Sequence, residues 1–324
     1  MVLVNEQRKL SASLPLICRC IISCILVLLT QLTLSLVPRF FAASPFIVQF
    51  ALSGLVLLLV QTLCGWCRRL LGVCASAPAF VFFNILFIWG FYIAVVRQAV
   101  SSLIGGLFNI EVAMIIIGLC SIMSKDPGLI TNEFPHLDKL VEGSELGVDP
   151  DNEVNSLLRK RVRYCKICKA HVEGFDHHCP AFGNCIGQNN YFLFIVLLVG
   201  FLATEASYVA CSVQFVGKSQ NFDKSQSEND WVVNLATSTM LFSILQLLWQ
   251  AVFFMWHIYC VCFNVRTDEW VNWKKYPEFQ VIESEPVVVT ILKFIKNVLP
   301  LHFKILVYLA LQNKPFIGEY HRRV

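Results

Sequence analysis

Six apolar stretches constrain this chain more than any other feature. A membrane-spanning helix needs about 20 predominantly apolar residues, and residues 15–37, 45–65, 77–96, 102–123, 191–214 and 233–262 each supply such a run. Composition agrees: 56% of the 324 residues are hydrophobic and 15% are charged, whereas a soluble domain has about 25% charged residues. The first stretch follows Arg8 and Lys9 and precedes Ala42 and Ala43, as a signal peptide would. Its apolar run exceeds the usual signal core of about 7–15 residues, so it reads as a retained helix. The expected fold is an all-α polytopic membrane protein with about six transmembrane helices. A net charge of +4 makes no case for nucleic acid, and none is expected as a partner.

Basic residues set the expected sidedness. With the N-terminus cytosolic, that side receives Arg8, Lys9, Arg68, Arg69, the loop 124–190 and the C-terminal tail, while Arg39, Arg97, Lys218 and Lys224 fall opposite. The bias favours both termini inside. The third and fourth spans are joined by a short link around Arg97 and read as a helical hairpin. Glu111 and Glu205 lie within spans, where carboxylates are costly and functional by default; the blander reading is that each lies near a helix end or bonds a neighbouring Asn, Ser or Tyr, with Asn109 and Tyr208 close by in sequence. The tail segment 287–311 is apolar but broken by Lys293, Lys296, Pro300 and Lys304, and reads as an interfacial amphipathic segment.

The domains expected are a tail with two helices at 1–76, the hairpin at 77–123, a cytosolic cysteine-rich domain at 124–190, helices five and six at 191–262, and a cytosolic tail at 263–324. Of 14 cysteines, ten lie in or beside apolar runs, where Cys acts as a small hydrophobe or, near membrane ends, an acylation target. Only Cys165, Cys168, Cys179 and Cys185 cluster in the polar loop. In a reducing compartment this favours metal or catalytic roles over disulfides.

The spacing Cys165-x2-Cys168-x9-His178-x6-Cys185 offers a two-cysteine knuckle and two returning ligands, a set suited to tetrahedral Zn²⁺. Free thiols are the alternative. Asp176, His177 and Cys179 then remain on one tight strip. A thiol becomes a good nucleophile when a neighbouring imidazole takes its proton and a carboxylate orients that imidazole. The alternative is that His177 or Cys179 is itself a ligand and nothing here is catalytic. The basic run Arg159, Lys160, Arg161 and Arg163 faces an anionic leaflet, and suits lipid headgroups or a phosphorylated ligand.

The motif Asp176-His177-His178-Cys179-Pro180, with Cys185 and Asn190-Tyr191 beyond it, resembles the DHHC protein S-acyltransferases, or palmitoyltransferases. Asp126-Pro127-Gly128 stands where that family has its Asp-Pro-Gly motif. Asn264-Val-Arg-Thr-Asp-Glu269 stands where it has Thr-Thr-x-Glu, with Thr267 and Glu269 matching and Arg266 in place of the first Thr. The resemblance covers roughly residues 77–270. It implies that Cys179 is the acyl-accepting nucleophile, His177 its general base, Asp176 the residue that orients the base, and Thr267 a support for Asp176. It implies one structural zinc on Cys165, Cys168, His178 and Cys185. Relatives usually hold two zincs, but no cysteine occurs between Cys120 and Cys165, and Tyr164 and His171 stand where ligands of the first site are usual. Ala181 replaces a usual Trp, and Gly183 a common Asn.

The function this implies is transfer of a long-chain acyl group from acyl-CoA (palmitoyl-CoA) to cysteines of target proteins. Arg159, Lys160, Arg161 and Arg163 become candidate contacts for the CoA phosphates. Expected partners are membrane lipid and cytosolic-face proteins with juxtamembrane cysteines. The expected address is an endomembrane (Golgi or ER) or the plasma membrane. A non-catalytic zinc-binding membrane adaptor is the alternative, and a transporter built on Glu111 and Glu205 has less support, with no paired broken helices.

Overall fold

A computed structural model of the chain describes residues 2–72, 75–130, 161–222 and 231–272. Among these residues six helices are long and apolar enough to cross a membrane: α1 (Val2–Phe40), α2 (Phe46–Leu70), α3 (Ala77–Ala94), α4 (Ser102–Ser124), α5 (Tyr191–Phe222) and α6 (Trp231–Cys262). The protein is a mostly helical, multi-pass membrane protein with a small cysteine-rich segment. The shortest span, α3, has 18 residues, about 27 Å of helix, close to the ~30 Å hydrocarbon thickness. The segment 287–311 lies outside the described residues.

The chain divides into two compact units. The first comprises Met1–Asp126, His178–Asn184 and Asn189–Phe254. Here α1 packs on α2 and α3, and α4 packs along α5. Its core joins Leu34, Ile88, Tyr92, Phe108, Val112, Tyr208 and Phe242. Small residues let α4 and α5 approach closely, as they do between membrane helices generally. A Cβ on Gly118 would collide with the Leu197 side chain, and one on Gly200 would lie 2.8 Å from Ile115 Cδ1. Each glycine thus receives a branched side chain from the opposite helix.

A four-residue 3₁₀ turn, Val96–Ala99, links α3 to α4. Tyr92 and Phe108 bring these two helices together, with ring centroids 4.5 Å apart. Some polar side chains of the spans bond to one another, where a lipid environment offers no partner. Trp89 Nε1 donates to Asn109 Oδ1 at 2.8 Å, and Gln31 Nε2 to Asn84 Oδ1 at 3.2 Å. The two residues expected to serve the buried acids bond elsewhere as well. Asn109 also donates to the Gly105 carbonyl, and the Tyr208 hydroxyl donates to Thr239. Glu205 instead faces Ser243.

The second unit comprises Pro127–His177, Cys185–Gln188 and the chain from Met255 onward. It holds a three-stranded antiparallel sheet of β1 (Leu129–Ile130), β2 (Arg163–Cys165) and β3 (Ala170–Val172), with β3 central. Register pairs Leu129 with Val172, and Tyr164 with His171. Beneath it Cys165, Val172 and Cys185 form a small buried cluster with Phe175 against it. A further pair of strands, β4 (His177–Cys179) and β5 (Asn184–Ile186), forms a hairpin. One helical turn and a half, α7 (Thr267–Val271), follows α6.

Candidate active site and metal centre

Pro127 and Gly128 are buried where the chain leaves α4 for β1. Gly128 adopts a positive φ of 106°, and its carbonyl accepts from Glu173 N–H at 2.9 Å. The Asp126-Pro127-Gly128 motif is thus a turn that starts the sheet, with Asp126 on its exposed side.

Asp176 is fully buried, and its hydrogen bonds are correspondingly complete. Thr267 N–H donates to Oδ1 at 2.9 Å, and the Thr267 hydroxyl to Oδ2 at 3.0 Å. His177 Nδ1 lies 2.7 Å from Oδ2. Asp268 N–H donates to the Asp176 carbonyl. Burial alone would push the carboxyl up, but the His177 bond, the His177 charge and the Thr267 N–H together hold it below the ordinary aspartate range. An ionised Asp176 fixes the proton of His177 on Nδ1, leaving Nε2 to accept one.

Alternation along β4 sends His177 and Cys179 to one face of the strand and His178 to the other. Among the described residues, one group of side chains can hold a metal: Cys165, Cys168, His178 and Cys185, whose ligand atoms all lie within 4.8 Å of one another. Cys168 N–H points at Cys165 Sγ at 3.4 Å, the turn expected of a two-cysteine knuckle. The sulfurs of Cys185 and Cys168 are 3.4 Å apart. Burial and the neighbouring thiols push Cys185 far above the ordinary cysteine range. Burial also opposes ionisation of Cys165, yet N–H groups from Cys168 and Ile167 bring it below that range. Three thiols gathered this tightly cannot all ionise without a cation between them, and this donor set fits zinc.

Further support comes from around α7. Arg161 donates from Nη1 to Asn264 Oδ1 at 3.0 Å and from Nη2 to the Asn264 carbonyl at 2.9 Å. Its Nε lies 3.1 Å from Glu269 Oε1. Glu269 Oε2 accepts from Arg266 N–H at 2.9 Å, the carboxylate half of a capping box. The motif residues Asn264, Thr267 and Glu269 therefore have separate tasks: Thr267 holds Asp176, while Asn264 and Glu269 hold Arg161. Of the four candidate phosphate contacts, Arg161 is engaged in this clasp, and Arg163 Nη1 donates to the Val162 carbonyl at 2.8 Å. Arg159 and Lys160 lie outside the described residues.

These arrangements stand beside three known relatives. Residues 152–274 match the family model for DHHC palmitoyltransferase. Palmitoyltransferase ZDHHC17 of Mus musculus is 30% identical over 173 residues, 48% of this chain and 27% of that protein. Palmitoyltransferase ZDHHC3 of Homo sapiens is 30% identical over 118 residues, covering 34% and 39%. Palmitoyltransferase ZDHHC18 of Homo sapiens is 34% identical over 112 residues, covering 34% and 28%. Over residues 152–274 the chain is similar to the DHHC palmitoyltransferase family. It spans well under half the length of the curated relatives it matches.

Several residues around this strip received no structural role from the sequence. Phe182 is buried and meets Phe194 edge to face at 6.1 Å. Gly183 takes φ +61°, and a Cβ there would lie 3.1 Å from Pro78 Cγ. Asn184 Nδ2 donates to the carbonyls of Ile122 and Lys125 at the end of α4. Tyr164 and His171, read as remnants of a lost ligand set, are cross-strand neighbours with ring centroids 5.1 Å apart. The sequence flagged them only as departures from the family pattern. Their contact depends on the β2–β3 register.

Proposed function

We propose that this chain is a protein S-acyltransferase that works through an acyl-enzyme on Cys179. The observation that carries the reading is the buried Asp176 carboxylate, braced by Thr267 and bonded to His177 Nδ1. A histidine so held presents Nε2 as a base, and Cys179 shares its face of β4. His177 takes the Cys179 proton, and the thiolate attacks the carbonyl carbon of a long-chain acyl-CoA. The carbon–sulfur bond to CoA breaks, and the CoA sulfur leaves with the proton from His177. In the second half, His177 deprotonates a cysteine of the target protein. That sulfur attacks the acyl-enzyme, and the Cys179 thiol is restored.

A zinc ion on Cys165, Cys168, His178 and Cys185 would supply cross-linking of the strip rather than chemistry at the thioester. We assign one such ion per chain. The long acyl chain supports a membrane setting, since each buried methylene gains about 0.8 kcal/mol. The bias in basic residues supports a cytosolic site, where CoA stays in water and juxtamembrane cysteines of target proteins are within reach. Arg159, Lys160, Arg161 and Arg163 are the proposed contacts for the CoA phosphates.

Incubating the purified protein with labelled palmitoyl-CoA tests the reading. Wild type should acquire a hydroxylamine-labile adduct, and Cys179→Ser should acquire none. Equal labelling of the two, or no labelling of a zinc-loaded wild type, would overturn it in favour of an adaptor.

A further inference from the structure

His257 lies near the end of α6 and is fully buried. Nothing in the motifs that identify the family draws attention to it. Its ring centroid is 6.0 Å from that of His177, with the planes inclined by 36°. His177 is therefore bounded in two directions by different kinds of contact. Asp176 supplies a hydrogen bond at Nδ1, which sets distance and tautomer. That bond leaves the imidazole free to swing about its own axis, because a single bond fixes a point and not a plane. A ring packed against it removes that freedom.

Three features of the surroundings favour such a role over simple filling of space. The His177 side chain is 22% exposed, so packing covers it incompletely and each contact that it has matters. Cys260 lies one helical turn along α6 from His257, is buried, and reaches the Thr267 hydroxyl that bonds Asp176. Trp256 is locked edge to face on Trp270 of α7 at 4.4 Å. One short length of α6 is thus fixed to both the support of Asp176 and the ring of His177.

We propose that His257 is a positioning residue: its ring is the wall that fixes the plane of the His177 imidazole, whose Nδ1 is held by Asp176. The inference rests on His177 acting as the base, and its test separates the two. Misplacement of a catalytic group by about 1 Å can cost about 100-fold in rate, so His257→Ala should slow acyl-enzyme formation by about 10- to 100-fold at saturating palmitoyl-CoA. The KM for palmitoyl-CoA and the zinc content should be unchanged, while the cavity left by the ring lowers the thermal midpoint. His257→Phe, which restores a flat ring, should recover the rate to within a few-fold of wild type.

A second readout does not depend on activity. In ¹⁵N-histidine-labelled protein in nanodiscs, the proton shared by His177 and Asp176 should give a downfield resonance, identified by its loss in His177→Ala. It should persist in His257→Phe and broaden or vanish in His257→Ala. The inference is overturned if that resonance is intact in His257→Ala, if the His257→Ala rate stays within twofold of wild type, or if His257→Phe is no better than His257→Ala. If wild type forms no acyl adduct, the acyltransferase reading fails, and the resonance still decides the role of His257.

Discussion

Asp176 accepts bonds at both carboxylate oxygens, and two of its donors belong to Thr267. A hydrogen bond to a charged group contributes about 1.5–3 kcal/mol. Thr267→Val, which keeps the N–H and loses the hydroxyl, should lower unfolding stability by about that amount and slow adduct formation. Thermal unfolding and single-turnover labelling check both. Arg266 occupies the N-cap of α7, a position that prefers a small hydroxyl or amide side chain. Arg266→Thr should therefore stabilise the protein by about 0.5–1 kcal/mol. Glu269 titrates in the opposite sense to Asp176. Burial raises its carboxyl above the ordinary range, more than Arg266 N–H and Arg161 lower it. The folded chain then holds that proton more tightly than the unfolded one. Its contribution to stability is complete below the ordinary glutamate value of about 4.3, and is lost as pH rises through the raised folded value. The midpoint difference between wild type and Glu269→Gln should move in favour of wild type as pH falls from 7 toward about 4.5. A shift in the other direction would contradict this assignment.

At the level of elements, the six spans were legible because hydrophobic length alone decides them. Most sequence limits fall within about two turns of the helix ends; the largest difference is α1, which begins at Val2 rather than at 15, followed by α5, which runs on to Phe222. The ligand set Cys165, Cys168, His178 and Cys185 was legible from spacing, because a knuckle turn fixes its own geometry. The clasp of Arg161 on Asn264 and Glu269 was not. It joins residues 103 positions apart, and no local pattern reports such a pairing. His257 was hidden for a related reason: a histidine in an apolar run reveals nothing until its neighbour is known. Two predictions belong at this scale. Cys168→Ser or a strong chelator should release the metal and abolish labelling while the helical circular-dichroism signal is retained, and metal analysis of wild type should give one zinc per chain. Gly183→Ala forces a left-handed conformation that costs about 1–2 kcal/mol, and its Cβ would press on Pro78. Its thermal midpoint should fall while its zinc content holds.

For the molecule as a whole, the expectation of both termini on the cytosolic side follows from charge bias and an even number of spans. Epitope tags at either end should be reached by antibody after selective permeabilisation of the plasma membrane. A tag inserted between α1 and α2 should be reached only after full permeabilisation. The reverse pattern would invert the orientation and place the thiols in an oxidising lumen.

The metal ligands bracket the reactive strip in the chain: Cys165 and Cys168 precede it, His178 lies inside it, and Cys185 closes it. A ribosome therefore releases every reactive group before the last ligand is available. Under the proposed acyltransferase reading, a newly made protein is fully inserted and still inert until the metal arrives. Zinc supply would then set the active fraction of this protein without changing its abundance, and immunoblots alone would not reveal a shortage.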